Sequence, residues 1–237
     1  MIEYLPPGLI LMLGGVAAGF LKGRARQACV LLAAVVSLAT WFGYAALPHT
    51  GYLQFELAGQ TLTMLRIDKL ALVFGLIFHI AALVGVIFAL HVQDWLEHSS
   101  ALIYAGAAIG AVFAGDLVTL FLYWELTAVA SVFLILARRT ARAYRASMRY
   151  LIIQVTSGLL LLAGTILFAR SRGIAFDTMD WQSTAGLLIF LAFGIKAAFP
   201  LLHNWLQDAY PEASATGTVF LSAFTTKLAI YCLARAF

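Results

Sequence analysis

The stretch LVTLFLYWELTAVASVFLI, residues 117–135, is apolar enough to cross a membrane yet carries one acid near its centre. The hydrocarbon core of a bilayer needs about 20 apolar residues in a helix. Glu125 lies eight residues after Leu117, which is about 12 Å along a helix at about 1.5 Å per residue. A charge at that depth costs at least about 2.5–3.5 kcal/mol, so such residues usually face a bundle interior and mark an ion or proton path.

The rest of the chain is similarly apolar. Of its 237 residues, 63% are hydrophobic and 11% are charged, whereas a soluble domain averages about 25% charged residues. We therefore expect an all-α polytopic protein of the cell (inner) membrane, with the lipid bilayer as its surroundings. The net charge of +4 comes mostly from short loops, so it does not indicate nucleic-acid binding. The N-terminus lacks a basic region and an early cleavage site, so we expect no removable signal peptide.

Eight apolar runs predict eight transmembrane helices. They cover about residues 7–20, 28–47, 70–90, 101–114, 117–136, 148–168, 185–200 and 216–236. Between the second and third runs, residues 48–69 alternate apolar and polar side chains around the turn AGQ, which predicts a small surface β-hairpin. An irregular loop is the alternative. We expect two parts: residues 1–100 with three helices and the hairpin, and residues 101–237 with five helices.

Basic residues in the short loops predict the orientation. The first and fifth loops lie on one side if the helices alternate, and they carry Lys22, Arg24, Arg26, Arg138, Arg139, Arg142, Arg145 and Arg149. The other side carries only Arg66, Lys69, Arg170 and Arg172. This excess places the first and fifth loops in the cytoplasm, and the N-terminus outside or in the periplasm.

Two lysines lie at depths comparable to that of Glu125. Lys196 is in the seventh apolar run, and Lys227 is near the middle of the eighth. A carboxylate beside an ammonium lowers the cost of both charges, so one acid and two bases predict a buried relay for protons. A static buried pair with no transport role is the alternative.

The seventh run contains a helix breaker. Pro200 lacks an amide donor and clashes with the preceding turn, and Gly194 precedes Lys196 by two residues. A broken membrane helix is tolerated where its backbone is buried in protein or lines a wet cavity, and it is a common scaffold for ion sites. We expect the seventh helix to be broken beside Lys196, with an ordinary proline kink as the alternative.

Three further side chains are candidate relay residues. His203 follows the break, and an imidazole can both accept and donate a proton, so it suits a relay between the two lysines. His79 and Asp208 are weaker candidates, since simple packing explains a lone histidine and a surface ion pair explains the aspartate. Asp116 precedes the fifth helix and is expected to cap it.

Catalytic and cofactor motifs are missing from the sequence. It has no glycine-rich phosphate loop, no cysteine cluster for iron–sulfur and no nucleophile elbow. Cys29 and Cys232 lie in apolar runs without the spacing of metal ligands. We expect no catalytic residues, no cofactor and no metal site in this chain.

Two stretches resemble a known family. LVTLFLYWELTAVASVFLI resembles the fifth-helix signature of the antiporter-like subunits of respiratory complex I and of Mrp-type multisubunit cation/proton antiporters. FGIKAAFPLLHNWLQDAYPEASATGTVFLSAFTTKLAIYCLARAF is similar to their signature across helices seven and eight. The segment DAYPEASATGTVFLSAFTTK is most similar to the D-type subunit of Mrp antiporters. The resemblance covers about residues 60–237.

The resemblance implies a fold of two inverted five-helix repeats, each with one broken helix and one half-channel, and residues 101–237 would form one such half-channel repeat. It implies that Glu125 and Lys196 form a coupled pair, that Lys227 continues a horizontal axis of water and charge, and that His203 matches a histidine after the break. The implied function is that of a proton-translocating subunit of an Mrp-type Na+/H+ antiporter, with H+ and also Na+ as candidate ions.

The sequence departs from the family after the eighth helix. The second repeat is absent, so the resemblance covers the N-terminal half only. We expect a naturally split subunit whose partners are other membrane subunits, including a chain that supplies the missing C-terminal half; a fragment is the alternative. Other candidate functions are a proton-pumping subunit of a complex I-like NADH:quinone oxidoreductase or related hydrogenase, a subunit of an inorganic-carbon uptake complex, and an assembly subunit with vestigial charges.

Overall fold

The computed structural model describes residues 4–57 and 59–237. This part of the chain is almost entirely helical. Its elements in chain order are α1 (Leu9–Phe20), α2 (Gly23–Ala45), β1 (Gly51–Leu57), β2 (Gln60–Arg66), α3 (Lys69–Ala89), α4 (Trp95–Val112), α5 (Leu117–Leu136), α6 (Ala141–Arg172), α7 (Thr184–Lys196), α8 (Asn204–Ala209), a 3₁₀ turn (Tyr210–Glu212) and α9 (Ala215–Ala236).

The predicted all-α membrane class is confirmed. The eight predicted spans correspond to α1 through α7 and α9. Five of these helices, α2, α3, α5, α6 and α9, are long and apolar enough to cross a membrane on their own, and α1 and α7 are shorter apolar helices. The chain is a multi-pass membrane protein.

The predicted surface hairpin is also confirmed. Strands β1 and β2 pair in antiparallel fashion from Gly51 opposite Arg66 to Leu57 opposite Gln60. The predicted turn includes Ala58, which lies outside the described residues. Asp116, at the start of α5, accepts a hydrogen bond from the amide of Thr63 at 2.7 Å. The hairpin is therefore attached to the connection between α4 and α5.

The helices alternate between two ends of the bundle. At one end, the start of α2 meets the α3–α4 connection, where Arg26 donates to the carbonyl of Gln93 at 2.6 Å. At the same end, Arg139 after α5 pairs with Asp94 before α4 at 2.8 Å. We call this end the basic face and the opposite end the hairpin face. The first and fifth loops, both rich in arginine, thus lie on one face, as the sequence predicts.

Helix α4 starts at Trp95, six residues before the predicted boundary. The prediction was wrong because Glu97 and the polar residues after it interrupt the apolar run. The bundle nevertheless accommodates them, since Glu97 is buried and accepts a hydrogen bond from Ser214 at 2.7 Å. The proposed division at residue 100 stays a prediction, and it falls inside this helix.

Helix α6 is longer than predicted at both ends. It contains 32 residues, Ala141–Arg172, and the side chain of Thr140 caps it by accepting from the amide of Ala143 at 3.0 Å. Hydropathy excluded its first two turns because they contain Arg142 and Arg145. Those arginines lie on the helix at the basic face, where they meet water rather than lipid.

The seventh helix is broken, as expected. Helix α7 ends at Lys196, and α8 begins only at Asn204. Within the gap, Ala198 and Leu201 have positive φ values of 60° and 72°. The interruption is therefore a non-helical segment, and the alternative of an ordinary proline kink is wrong. The indole of Trp205 donates to the carbonyl of Ile195 at 2.9 Å, which satisfies one carbonyl at the end of α7.

Candidate functional site

Lys196 is fully enclosed by the bundle. It is the last residue of α7, and only 1% of its surface is exposed. Its ammonium donates to the carbonyl of Trp124 at 3.0 Å and to the hydroxyl of Thr127 at 2.8 Å, both on α5. An ammonium has three donors, so two of them are satisfied by neutral oxygens. The break after Lys196 thus holds a buried amine against the middle of α5.

The indole ring of Trp124 packs against the ammonium of Lys196. The ammonium of Lys196 lies 4.0 Å from the centre of its ring, which is cation–π geometry. The indole nitrogen donates to the hydroxyl of Ser157 on α6 at 3.1 Å, and Ser157 donates to the carbonyl of Ala192 on α7 at 2.7 Å. These bonds fix α5, α6 and α7 around the lysine.

Glu125 is the next residue on α5 and is half-buried. Its Oε1 atom is buried and has no hydrogen-bond partner in the described part of the chain. Gly158 of α6 makes room for it, because a Cβ atom there would lie 1.5 Å from Oε1. The ion pairs found within 4.0 Å in residues 4–57 and 59–237 do not include Glu125 with Lys196. Lys196 contacts Trp124, the residue directly before Glu125 in α5, so the predicted acid and base lie at the same level of the bundle without forming a salt bridge.

The exposure of Lys227 differs from what a buried relay would require. Its side chain is exposed on the surface of this chain and donates to the carbonyl of Ser222 at 2.8 Å. Residues Phe224, Thr225 and Leu228 form the buried face of α9. At about 100° per residue, position 227 points away from that face. Lys227 therefore lies on the outer surface of this chain, and its place in a relay with Glu125 and Lys196 stays a prediction.

The three other relay candidates lie in different places. His203 is half-buried beside the break, and its side chain makes no hydrogen bond to the residues described. His79 is buried in α3, and its Nδ1 lies 2.7 Å from the carbonyl of Gly75. Asp208 pairs with Arg149 at 2.7 Å, and both side chains are about half exposed. Asp208 therefore belongs to the basic face and lies away from Lys196.

The predicted helix cap is confirmed. Asp116 accepts hydrogen bonds from the amides of Val118 and Thr119 at 2.9 and 2.8 Å. Ser214 caps α9 by accepting from the amide of Gly217 at 2.9 Å. Both caps fix the start of a helix that contributes to the site.

Sequence reasoning missed the residues that hold the lysine. Thr127 and Ser131 are polar residues one turn apart in an otherwise apolar run, a signal that points to one buried face of α5. Gly158 gave no signal, because nothing in the sequence shows which helix faces the carboxylate. Among the described residues, no group of three or more His, Cys, Asp or Glu side chains is arranged to hold a metal ion.

Comparison with known proteins places this site in a family. Residues 114–237 match the family described as NADH:quinone oxidoreductase/Mrp antiporter, TM. The chain belongs to that family. The matched region covers more than half of the chain and contains Glu125, Lys196 and Lys227, so the chain is a membrane antiporter-like subunit of the Mrp and complex I type.

Individual relatives are more distant. The chain is 32% identical over 200 residues to NAD(P)H-quinone oxidoreductase chain 4 1 of Synechococcus elongatus, a match that covers 79% of this chain and 36% of the relative. It is 27% identical over 139 residues to the D subunit of the Na(+)/H(+) antiporter of Bacillus subtilis, covering 54% of this chain and 28% of the relative. The chain thus spans about a third of the length of these curated relatives.

The fold matches that of a subunit in an archaeal respiratory membrane complex, the membrane-bound sulfane sulfur reductase. The TM-score is 0.83 at 24% identity, and the match covers 97% of this chain and 40% of that chain. At this identity the likeness concerns the fold.

Proposed function

We propose that the chain translocates protons as a subunit of a multisubunit membrane complex, with Lys196 as the group that gains and releases the proton. One observation carries this proposal: a fully buried amine is held by Trp124 and Thr127, in the same turn of α5 that bears Glu125 and its buried carboxylate oxygen. Intramembrane ionisable residues in such an arrangement typically belong to ion or proton paths.

The geometry supports a coupled exchange between the two groups. When Glu125 is ionised, its negative charge favours the ammonium form of Lys196. When the carboxylate accepts a proton, that charge disappears and Lys196 releases its own proton more readily. The two groups then titrate as a pair, and neither alone determines the protonation state of the site.

Lys227 is the proposed next acceptor. It lies twelve residues after Ala215, or about 18 Å along α9 at about 1.5 Å per residue. An amine at that depth is costly in contact with lipid, so we propose that a partner subunit covers this face of α9. His203 and His79 stay candidate relay residues. Asp208 is the weaker candidate, because its ion pair lies at the basic face.

We propose an Mrp-type Na+/H+ antiporter as the complex, with H+ as the translocated ion and Na+ as the coupled ion. The similarity of residues 208–227 to the D-type subunit of Mrp antiporters and the 27% identity to the Bacillus subtilis protein support this assignment. We place the chain in the cell (inner) membrane with the basic face in the cytoplasm and the N-terminus outside, because cytoplasmic loops are enriched in lysine and arginine.

A redox-driven proton pump is the second candidate. The 32% identity to a cyanobacterial NAD(P)H-quinone oxidoreductase chain favours it, since this match covers more of the chain. Purification of the native complex distinguishes the two candidates. Co-purifying iron–sulfur subunits would establish the redox-driven pump, whereas small membrane subunits alone would establish the antiporter. The same preparation tests the predicted split, because it identifies any chain that supplies a C-terminal half.

Substitution at the site tests proton translocation itself. Lys196→Ala and Glu125→Gln are expected to abolish proton uptake in membrane vesicles that contain the native complex, while the complex still assembles. Lys69→Ala is the control, because Lys69 is exposed at the start of α3. Proton uptake at the parental rate in both site variants would instead identify the charges as vestigial.

A further inference from the structure

Gln154 is a polar side chain that the proposed mechanism does not use. It lies in α6 and is fully buried, and neither its Oε1 nor its Nε2 has a hydrogen-bond partner within residues 4–57 and 59–237. Each unsatisfied polar group costs several kcal/mol in a bilayer. Buried polar groups in native proteins are almost always hydrogen-bonded to protein or to ordered water.

The neighbours of Gln154 are polar as well. Tyr150, Gln154 and Gly158 are four residues apart, so they lie on one face of α6. At Gly158 this face meets Oε1 of Glu125, which also has no partner among the residues described. At Tyr150 the same side of α6 contacts α5 again, because the hydroxyl of Tyr150 lies 2.9 Å from that of Ser131 on α5. Gln154 thus lies between a buried hydroxyl pair and the proposed acid, about one helical turn from each.

We propose that Gln154 holds internal water that carries protons from the Tyr150–Ser131 hydroxyl pair to Glu125. This inference rests on the proposed function. A buried water makes about three hydrogen bonds, and Gln154 and Glu125 offer three unpartnered atoms along one helix face. A glutamine amide both donates and accepts, so it orients water without adding a charge or storing a proton.

Each transfer moves one proton. The water donates a proton to the Glu125 carboxylate and accepts one from the next water or hydroxyl on the side of Tyr150. The hydroxyl pair can take part because each hydroxyl is both a donor and an acceptor. Reorientation of the water and the hydroxyls then restores the starting arrangement.

The side of α6 that carries Tyr150, Gln154 and Gly158 continues toward the basic face of the bundle. Ser147, three residues before Tyr150, is fully buried. At the same end of α6 but on its exposed side, Arg142, Arg145 and Arg149 border a cavity of about 300 Å³ together with Asp208. This polar cavity lies at the end of α6 where we propose that protons enter. The assigned route therefore runs along α6, from the basic face to the middle of the bundle.

Gln154→Leu tests the route in the native complex, because leucine is similar in size but binds no water. We expect proton uptake in membrane vesicles to fall about tenfold or more, while assembly is unchanged and thermal stability is unchanged or higher, because a buried unpartnered group is removed. In infrared spectra we expect the carbonyl band of protonated Glu125 to move to higher frequency, as for a less hydrated carboxyl group. Gln154→Met repeats the test with a flexible side chain if the leucine variant does not assemble.

Thr165→Val is the matched control. Thr165 is buried on the same helix but on the far side of Gly158, and its hydroxyl donates within the helix to the carbonyl of Leu161 at 2.8 Å. We expect the parental rate. A similar loss in this variant would show that packing of α6, rather than water at Gln154, limits transport, and would overturn the inference.

Four other outcomes test the inference. Gln154→Leu at the parental rate with an unchanged infrared band would overturn the inference. A rate that falls only in proportion to lost assembly would assign Gln154 a structural role and also overturn it. If Glu125→Gln and Lys196→Ala keep the parental rate in the same vesicles, the proposed function itself fails. If those two variants are inactive and Gln154→Leu is not, only the water route fails.

Discussion

The ammonium of Lys196 binds Trp124 twice. It donates to the backbone carbonyl of that residue at 3.0 Å, and it lies 4.0 Å from the centre of the indole ring. Both partners are neutral, so they hold the amine in place without fixing its charge. Because the same indole is hydrogen-bonded to Ser157 on α6, the lysine is positioned by the packing of three helices.

Thr127→Val should weaken proton translocation. The hydroxyl of Thr127 accepts from Lys196 at 2.8 Å, and a hydrogen bond to a charged group contributes about 1.5–3 kcal/mol. Valine has the same shape but no acceptor, so we expect the rate of proton uptake in vesicles to fall about tenfold. Thr156→Val is the control, because Thr156 is exposed on α6 and bonds only within its helix in the described structure. Equal rates in both variants would show that the hydroxyl of Thr127 plays no part.

The sequence predicted the membrane class, the eight spans, the hairpin and the broken seventh helix. These features depend on local patterns, namely apolar length, two-residue alternation and a proline after a glycine. The ends of α4 and α6 were wrong because hydropathy penalises Glu97, Arg142 and Arg145 in the same way wherever they lie. In the folded chain Glu97 is buried against Ser214, and the arginines lie in the first turns of a long helix.

The candidate site was predictable only in part. Glu125 and Lys196 are conspicuous as charges in apolar runs, and Lys196 contacts Trp124 and Thr127, in the same turn of α5 as Glu125. The position of Lys227 on the outer side of α9 depends on helix rotation, which weakly amphipathic membrane helices do not reveal. The role of Gly158 depends on which helix faces the carboxylate, and this is a tertiary contact. Gln154 was overlooked because it is uncharged.

Gly158→Ala should displace the carboxylate of Glu125. A Cβ atom at this position would lie 1.5 Å from Oε1, so the side chain must move. We expect a marked loss of proton uptake, about tenfold or more, since a small misplacement of a reacting group has large effects on rate. Gly43→Ala in α2 is the matched control, because a Cβ atom there has no neighbour within 4 Å in the described structure. If Gly158→Ala retains the parental rate, the carboxylate does not need its present position.

Asp68→Asn should destabilise the hairpin face. Asp68 accepts two hydrogen bonds from the buried guanidinium of Arg235, both at 2.8 Å, which join the start of α3 to the end of α9. Removing one partner of a buried pair typically costs about 3–5 kcal/mol. We expect a lower thermal denaturation temperature of the purified complex. Asp208→Asn is the contrast, because its pair with Arg149 is half exposed and such pairs contribute about 1 kcal/mol or less. Equal losses in the two variants would contradict this difference.

The same pair predicts a dependence of stability on pH. Burial would raise the pKa of Asp68, but hydrogen bonds from Arg235, the Ala71 amide and Arg66, with the charge of Arg235, outweigh it and lower the pKa to about 2. A carboxyl group whose pKa is lowered by folding stabilises the fold above its ordinary pKa of 3.8 and loses that contribution as the pH falls toward 2. The parent should therefore lose more stability than Asp68→Asn between pH 5 and about pH 2. Parallel curves for the two proteins would show that this carboxylate is not the titrating group.

Trp205→Phe should loosen the break in the seventh span. Trp205 is buried, its indole nitrogen donates to the carbonyl of Ile195 at 2.9 Å, and its ring packs against Tyr150. Phenylalanine keeps most of the packing but removes this donor; the Ile195 carbonyl still accepts from the amide of Ala198 at 3.1 Å, so the loss is that of one hydrogen bond, about 0.5–1.5 kcal/mol. We expect a lower denaturation temperature and a slower proton uptake, because Ile195 directly precedes Lys196 and a mobile helix end places the amine less accurately. Trp181→Phe is the control, because Trp181 is exposed before α7 and should tolerate the change. A Trp205→Phe variant as stable and active as the control would show that backbone bonds such as that from Phe199 to Gly194 at 3.0 Å suffice to hold the break.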